Sequence, residues 1–476
     1  MSTSLKQKTV SGIWWSGIER FAVQGIQFLI QILMARLLLP SDYGIIGMLA
    51  IFMAISQSFI DSGFSNALMQ KKDRNVADYS TVFYFNIVIG IIAYLIMFIL
   101  APYIANFYDT PMLVSITKVV AINLFISSMA VVQRAKLTIN VDFKTQAKAS
   151  IVAVIIGGFV GIIMAYKGYG VWALVVQSLL TNGVDTILLW IYAHWRPQWL
   201  FSYKSFRRLF SFGSKLLFAG LLDTIYRNIY TIVIGKRFSA QDLGYYTRAD
   251  QFAQFPSANL SGIFNRVTYP ILCDLQDDND RLRKVYQQYL RMSAYLVFPL
   301  MIGLCVLAEP LIRVVLTDKW DFAIGLLQIL AIAYMWYPIH AINLNLLQVK
   351  GRSDLFLRLE IIKKIIGVCI LIITIPLGIR IMCVGLVVSS LIALFINTYY
   401  TGKIIRVGFY MQMKDLLPVI ILSVSMGFVV HLGISFFVTD ILKLIVGIGI
   451  GIIYYVLLSY ITRSCEWKML VELIKK

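Results

Sequence analysis

The chain has 476 residues, of which 59% are hydrophobic and 14% are charged, and its formal net charge is +19. Soluble domains are near half apolar and about a quarter charged, so this composition excludes an ordinary soluble protein and predicts a membrane protein. In such a protein the positive charge reports membrane topology, and no nucleic-acid partner is expected.

Apolar runs of about 20 residues, long enough to cross a hydrocarbon core, follow one another from end to end. The first follows Lys6 and Lys8 as in a signal peptide, but it is too long and lacks a small-residue cleavage site, so we interpret it as a retained helix. The pattern predicts an all-α polytopic membrane protein with about fourteen transmembrane helices. The predicted spans are 11–38, 44–67, 79–105, 112–133, 149–166, 171–193, 209–235, 251–272, 288–308, 323–348, 359–377, 382–402, 415–437 and 441–462.

Lysine and arginine residues are concentrated on one side of this predicted topology. If the N-terminus is cytoplasmic, the cytoplasmic loops hold most of them, for example in 71–74, 134–148 and 196–208, whereas the outer connections hold few. The positive-inside rule therefore predicts that both termini are cytoplasmic. In this interpretation Arg134 is a loop charge.

A short polar segment after the first predicted helix is repeated later in the chain. RLLLPSDYG is echoed by KRFSAQDLGYY at an offset of 200 residues, so that Asp42 aligns with Asp242 and Gly44 with Gly244. Aspartate and glycine at these places are typical of turns, so we interpret them as turn formers at the outer hairpin tips rather than as ligands.

Two further matches follow in the same order, SGFSN with SGIFN and QRAKLTINVDFK with LQVKGRSDLFLR. A unit of six helices returns the chain to the same side of the membrane, so the halves are predicted to be parallel repeats, as in several transporter folds. The predicted organisation is an N-lobe at 1–195, a cytoplasmic linker at 196–208, a C-lobe at 209–410, and an appended segment at 411–476 with two helices and a cytoplasmic tail.

Arginines inside the predicted spans are the main candidates for ligand binding. An ionisable group at mid-bilayer costs about 2.5–3.5 kcal/mol and usually faces a protein interior or an aqueous cavity. Arg20, Arg227 and Arg266 lie on the first, seventh and eighth predicted helices. Guanidinium groups match phosphate oxygens and stay charged, so these residues predict a site for an anionic, phosphorylated ligand.

Other polar side chains would enlarge the same surface. Asp223 lies one turn from Arg227, so the two can form an ion pair. The alternative is that such charges form structural pairs, or that Arg20 extends to the cytoplasmic interface. The predicted cavity set, which includes the candidates for ion coupling, is Glu19, Asp61, Asp223, Gln24, Gln27, Asn66 and Asn265.

The remaining candidates are weaker. Asp185, in the sixth predicted helix, is open to two interpretations, an ion-coupling carboxylate or a polar contact at a helix end. The three histidines and five cysteines lack the spacing of metal ligands, so no metal site is assigned. The acidic run at 274–280 precedes a basic segment and is interpreted as a solvated loop.

The turn RLLLPSDYG, SGF with a following asparagine, QRAKLTINVDFK, and WDFAIGLLQILA leading into LQVKGRSDL together resemble the polysaccharide transporter family. The likeness is to its Wzx-type branch of O-antigen, colanic-acid and teichuronic-acid flippases, in the MOP superfamily with the MATE exporters and the lipid II flippase. The resemblance implies a two-lobed, V-shaped helical bundle without enzymatic activity. It also implies alternating-access export of undecaprenyl-pyrophosphate-linked oligosaccharides across the bacterial cytoplasmic (inner) membrane for surface polysaccharide biosynthesis.

The resemblance further implies that cavity cations bind the lipid pyrophosphate, a role that we carry to Arg20, Arg227 and Arg266. No cofactor is expected, and transport is expected to be coupled to sodium, protons or the membrane potential. The expected partners are the lipid-linked oligosaccharide, membrane lipids, a polysaccharide polymerase and a chain-length regulator, and the protein is expected to be a monomer.

Two alternatives stay open. A MATE-like drug or cation exporter would need a cavity dominated by carboxylates and aromatic rings. An integral-membrane glycan polymerase or ligase would need longer outer loops than this sequence provides.

Overall fold

The structure, a computed structural model, describes residues 23–61, 64–71, 73–464 and 466–469. The chain forms two compact units, Met1–Gly244 (unit 1) and Tyr245–Lys476 (unit 2). The helices up to the end of unit 1 are α1 (Val23–Leu37), α2 (Pro40–Asp61), α3 (Phe64–Gln70), α4 (Val76–Phe107), α5 (Leu113–Val120), α6 (Ile122–Ser128), α7 (Val131–Ile139), α8 (Phe143–Tyr166), α9 (Val171–Tyr192), α10 (Tyr203–Arg237) and α11 (Ala240–Asp274), which continues into unit 2. The helices that follow are α12 (Asn279–Val306), α13 (Ala308–Leu316), α14 (Asp321–Met335), α15 (Tyr337–Val349), α16 (Ser353–Thr374), α17 (Ile379–Ile405), α18 (Phe409–Ile434) and α19 (Asp440–Ile461).

The predicted fold class, an all-α polytopic membrane protein, is confirmed. Each of the fourteen predicted spans coincides with a helix or a run of short helices in the described part of the chain. Ten of the described spans are long and apolar enough to cross a membrane. Helices are expected here because the hydrocarbon core supplies no water, so every backbone N–H and C=O must pair within the segment.

Within the described residues, the tenth and the fourth predicted spans are each divided into shorter helices. The tenth is divided into α14 and α15 just before Pro338, whose ring prevents the regular helical hydrogen bond. The fourth is divided into α5, α6 and α7, and at the second break the hydroxyl of Ser128 donates to the carbonyl oxygen of Phe125, three residues earlier. Hydroxyls bonded to their own backbone compete with the helix, which favours a break at this position.

The two repeated turns have the same local geometry. Asp42 Oδ2 accepts a hydrogen bond from the backbone N–H of Leu39 at 2.9 Å, and Asp242 Oδ2 accepts one from that of Ser239 at 3.2 Å. Each aspartate thus satisfies an amide at the start of the following helix, α2 or α11. The interpretation of these residues as turn formers is confirmed.

The glycines of the two turns bring the starts of α2 and α11 into backbone contact. A Cβ atom on Gly44 would lie 1.6 Å from the carbonyl oxygen of Ala240, and one on Gly244 would lie 1.8 Å from that of Pro40. All four residues belong to unit 1. Only glycine permits such an approach, so the repeated motif joins two helix starts in addition to reversing the chain.

Unit 1 also contains a close packing of α8 against α9. A Cβ on Gly157 would lie 2.1 Å from Thr181 Oγ1, and one on Gly161 would lie 2.9 Å from the Cβ of Gln177. Small residues allow this spacing between membrane helices, where van der Waals packing replaces the hydrophobic effect as the source of association. The result fixes the position of α9, which carries several residues of the candidate site.

The core of unit 2 is a large cluster of buried side chains from α12, α14, α15, α17, α18 and α19. Phe298 and Trp336 meet edge to face in it, with ring centroids 5.4 Å apart. Tyr295 donates to Ser459 Oγ at 2.6 Å, so a polar link connects α12 to α19 inside this apolar cluster. The two last helices, predicted as an appendage, therefore pack into the core of unit 2.

The predicted linker at 196–208 is partly helical, because α10 begins at Tyr203. Its first part is attached to α4, since the backbone N–H groups of Gln198 and Ser202 donate to Ser80 Oγ and Thr81 Oγ1. Helix α10, predicted to open the C-lobe, belongs to unit 1. The predicted lobe boundaries stay a prediction.

Candidate functional site

Unit 1 contains a partly open cavity of about 760 Å³ among its membrane-spanning helices, with mixed polar and apolar walls, which we call the unit-1 cavity. Its walls are formed by α2, α3, the α5–α7 run and α9. Its polar lining residues are Gln57, Asp61, Ser65, Asn123, Ser127, Arg134, Thr138, Ser178, Asn182, Asp185 and Thr186.

Helical spacing explains why these polar groups face one space. On α9, Ser178, Asn182 and Asp185 are four and three residues apart, so they lie on one face. The same spacing relates Gln57 to Asp61 on α2. The sequence of each helix therefore places a polar stripe on an otherwise apolar span.

One wall of the cavity holds an ion pair. Arg134 Nη2 donates to Asp185 Oδ2 at 2.6 Å, and the hydroxyl of Ser150 on α8 donates to the other carboxylate oxygen at 3.1 Å. The Asp185 side chain is 11% exposed, whereas that of Arg134 is 59% exposed. The carboxylate is thus largely buried and paired, while more than half of the Arg134 side chain remains accessible.

Two chains of hydrogen bonds cross the rest of the cavity wall. Ser127 donates to Gln57 Oε1 at 3.0 Å, and Gln57 Nε2 donates to Asp61 Oδ1 at 3.1 Å. In the second chain, Asn182 Nδ2 donates to Asn123 Oδ1 at 2.8 Å, and Asn123 Nδ2 donates to Ser178 Oγ at 3.1 Å. These bonds fix the amide groups in defined orientations, as a binding site requires.

The site is suited to binding and not to an obvious covalent reaction. The cavity lining includes two carboxylates, Asp61 and Asp185, and one guanidinium, Arg134, so its formal charge is −1 when all three are ionised. Amides, hydroxyls and a carboxylate form hydrogen bonds with polar ligands in both directions, as donors and as acceptors.

The structure places the predicted site residues in different surroundings. Asp61 lines the unit-1 cavity. On α10, Arg227 Nε donates to Asp223 Oδ2 at 2.6 Å, so the predicted ion pair is confirmed, and the Arg227 side chain is 69% exposed. Gln24 and Gln27 lie on α1, Gln27 being exposed.

The other predicted residues are in unit 2 or lack a described side chain. Arg266 is exposed on α11, and Asn265 accepts a hydrogen bond from Asn345 Nδ2 at 2.9 Å. Asn66 is on α3. Arg20 and Glu19 lie outside the described residues. The arginine site therefore stays a prediction.

The sequence interpretation of Arg134 as a loop charge is wrong. Arg134 lies on α7, where its side chain reaches Asp185 instead of a cytoplasmic loop. Asp185 pairs within a helix, seven residues before the end of α9 at Tyr192, so it is not a helix-end contact. A basic residue close to a predicted boundary is ambiguous, because a partner on another helix is not visible in its local sequence.

Sequence reasoning also missed the neutral members of the site, Asn123, Ser127, Ser178 and Asn182. The available signal was their pairing at four-residue spacing inside apolar spans, at 123 and 127 and again at 178 and 182. The predicted cavity set holds charged groups, glutamines and the two asparagines of the repeated SGxxN segment, so it does not include these pairs.

Unit 2 contains a second cavity, of about 580 Å³, with a different lining. Its walls come mainly from α12, α18 and α19 and are almost entirely apolar, with residues such as Leu300, Val430 and Ile448. An apolar cleft among membrane-spanning helices is compatible with contact by lipid chains.

Comparison with known proteins identifies relatives along most of the chain. The model of a family described as "Polysaccharide biosynthesis protein" matches residues 33–325. The teichuronic acid biosynthesis protein TuaB of Bacillus subtilis is 27% identical over 74% of this chain and 73% of its own. The lipopolysaccharide biosynthesis protein WzxC of Escherichia coli is 23% identical over 83% of this chain and 80% of its own.

A solved structure supports the fold. The lipid II flippase MurJ, in an inward closed conformation, superposes with a TM-score of 0.75 at 16% identity, over 94% of this chain and 98% of its own. At this identity the likeness concerns the fold alone.

Proposed function

Since the chain belongs to the polysaccharide biosynthesis protein family, we propose that it is a flippase for lipid-linked oligosaccharides. The substrate is an oligosaccharide on undecaprenyl pyrophosphate, which the protein moves from the cytoplasmic to the outer leaflet for surface polysaccharide assembly. The membrane is the bacterial cytoplasmic membrane, and both termini are cytoplasmic, as the distribution of lysine and arginine favours. A polymerase and a chain-length regulator then use the exported unit.

The observation that carries this proposal is the unit-1 cavity. A flippase has to shelter a strongly polar head group while it crosses a hydrocarbon layer, because unpaired polar groups in lipid cost several kcal/mol each. The cavity offers amides, hydroxyls and charges at the depth of membrane-spanning helices. An enzyme that acts on a water-soluble substrate would not need these polar groups between its membrane-spanning helices.

The diphosphate of the substrate is assigned to the predicted arginines Arg20, Arg227 and Arg266. Arg227 supports this role because its side chain is 69% exposed and is oriented by Asp223. A guanidinium held in place loses little conformational entropy when it binds phosphate oxygens. Transport is coupled to sodium, protons or the membrane potential, with Glu19, Asp61 and Asp223 as candidates for the coupling carboxylate.

The arginine assignment is tested with Arg227→Ala. We expect the variant to insert normally and to lose export of the glycan, since the diphosphate loses a charge partner. Arg237→Ala, on the exposed end of the same helix, is the matched control and should retain export. If Arg227→Ala exports glycan as the wild type does, Arg227 is not part of the diphosphate site.

The flippase function itself is tested in a deletion strain. Lipid-linked oligosaccharide should accumulate in the inner leaflet when the protein is absent, and expression of the chain should restore surface glycan. Normal surface glycan without the chain would contradict the proposal.

A cation exporter of the same fold is the second candidate, and the two carboxylates of the unit-1 cavity favour it. Against it, Asp185 is already paired with Arg134, and the described lining contains no aromatic ring. Efflux of cationic drugs from a susceptible host, with no change in surface glycan, would establish this candidate instead.

A further inference from the structure

We propose that the unit-1 cavity binds the sugar rings of the substrate and excludes its diphosphate, a subsite that presupposes the flippase function proposed above. The ligand class is a short oligosaccharide with free hydroxyl groups. The diphosphate is held elsewhere, so the two polar parts of one substrate occupy separate sites.

The open hydrogen-bonding groups of the cavity favour hydroxyls. Among the described residues, Asn182 uses one N–H on Asn123, and Gln57 uses one N–H on Asp61, which leaves one N–H of each amide unused. The second carboxylate oxygen of Asp61 and the side-chain oxygen of Asn182 have no donor in the same part of the chain. A sugar hydroxyl both donates and accepts, so it satisfies both kinds of group.

A phosphate group fits the same surface poorly. Ionised phosphate oxygens accept hydrogen bonds but do not donate them, so they would leave Asp61 Oδ2 and Asn182 Oδ1 unsatisfied. When all three charged groups are ionised, the formal charge of the cavity is −1, since it holds one guanidinium and two carboxylates. Repulsion between like charges is stronger away from bulk water, so a diphosphate is disfavoured at this place.

The size and the apolar part of the wall complete the fit. A volume of about 760 Å³ lies within the range of pockets that hold small organic ligands. Leu49, Met53 and Leu174 line the cavity beside the amides. Sugar rings present C–H faces as well as hydroxyls, so an apolar wall next to polar groups matches both.

The test measures binding to the purified full-length chain in nanodiscs by calorimetry. One probe is the free oligosaccharide released by mild acid from the lipid-linked pool of the host strain, and the other is inorganic pyrophosphate. Asn182→Ala removes an open amide and should weaken oligosaccharide binding about tenfold. Met53→Trp narrows the cavity without removing a polar group and should weaken that binding as well.

Both variants should bind pyrophosphate as the wild type does. Asn140→Ala makes the same chemical change at an exposed position just after α7, outside the cavity lining, and should bind both probes normally. Thermal unfolding verifies that each variant is folded.

Two results would overturn the subsite. The first is oligosaccharide binding that is absent in the wild type or unchanged in both cavity variants. The second is pyrophosphate binding that falls in those variants, which would assign the diphosphate to the cavity. Neither result affects the flippase function, which is judged separately by lipid-linked oligosaccharide in the deletion strain.

Discussion

Each unit of the molecule holds a cluster of polar side chains within its spans, and the two clusters differ in burial and in how many of their hydrogen bonds are made. In unit 2, Asn343, Thr401 and Gln412 are at most 1% exposed and bind one another. Asn343 Nδ2 donates to Gln412 Oε1 at 3.0 Å, Gln412 Nε2 returns a bond of 3.0 Å to Asn343 Oδ1, and Thr401 adds one of 2.7 Å. In unit 1, Asn182 is exposed to a cavity and makes one side-chain bond among the described residues.

This difference distinguishes polar side chains that stabilise the fold from polar side chains that can bind a ligand. A saturated network has no capacity left for a ligand, so its value is to fix the packing of helices α15, α17 and α18. An unsaturated one beside a cavity keeps groups available, and it costs less because water or a ligand reaches them. Whether a polar residue within a membrane span is structural or binds a ligand can therefore be judged only when its hydrogen-bond partners are known.

The glycines of the molecule lie against neighbours of two kinds, backbone atoms and side-chain atoms. Gly44 and Gly244 in unit 1 lie against backbone atoms, whereas Gly427 in unit 2 lies against a side-chain end, with its hypothetical Cβ 2.6 Å from Ile302 Cγ2. A backbone carbonyl cannot move without its helix, whereas a side-chain methyl group can shift by a small change of χ1. Unit 1 is therefore expected to be rigid at its repeated turns.

The largest effect is expected from Gly44→Ala. The new methyl group would lie 1.6 Å from the carbonyl oxygen of Ala240, so the starts of α2 and α11 have to separate. We expect a loss of about 3 kcal/mol in the free energy of unfolding, together with a loss of export. Denaturant unfolding in mixed micelles measures the first and surface glycan the second.

Gly427→Ala is the comparison in unit 2, and we expect a loss of about 1 kcal/mol because Ile302 can adjust. Equal losses in the free energy of unfolding for Gly44→Ala and Gly427→Ala would mean that backbone and side-chain neighbours resist an added methyl group equally.

The second effect concerns the two asparagines. Asn343→Ala removes the centre of a closed network. Gln412 Oε1 then loses the Asn343 donor, and Gln412 Nε2 and Thr401 keep only backbone carbonyls as acceptors, which should cost about 2–3 kcal/mol. Asn182→Ala should cost less, about 0.5–1 kcal/mol in the free energy of unfolding, because its own side chain is exposed and only the Asn123 oxygen beside the cavity loses a donor. Similar losses in both variants would contradict the distinction between closed and open networks.

Much of the fold, but less of the site, could be predicted from the sequence. Apolar run length predicted the helices, and the echo of Asp42 and Gly44 predicted turns of the same geometry. The close contact between those turns was not predictable, because it depends on how helices distant in sequence pack. For the same reason Arg134 was assigned to a loop, since its partner Asp185 lies 51 residues away. Asp61 was identified because a carboxylate in a span is costly.

The third effect is expected from Arg134→Ala. Asp185 would then be enclosed without its cationic partner, and removing one member of a buried pair is strongly destabilising. Because Arg134 is 59% exposed, water can compensate in part, so we expect a loss of about 1–2 kcal/mol in the free energy of unfolding. Asp185→Asn in the same chain should recover most of this loss, since it removes the uncompensated charge.

Arg352→Ala is the control, because Arg352 and Asp354 form an exposed pair whose removal should produce no measurable change. If the double variant is no more stable than Arg134→Ala, the ion pair does not explain the loss.

The smallest effect is expected from Ser150→Ala, which tests how far the polar wall of unit 1 depends on each bond. Asp185 loses the donor to Oδ1 but keeps Arg134 on Oδ2, so the cost should be about 0.5–1 kcal/mol in the free energy of unfolding. Ser435→Ala, which removes only a bond to its own helix carbonyl, should cost nothing measurable. In the Arg134→Ala background the serine is the remaining donor to Asp185, so its removal there should cost more than in the wild type. Strict additivity of the two losses, measured by the same unfolding experiment, would mean that Ser150 and Arg134 act on Asp185 independently and that the wall is a set of separate contacts.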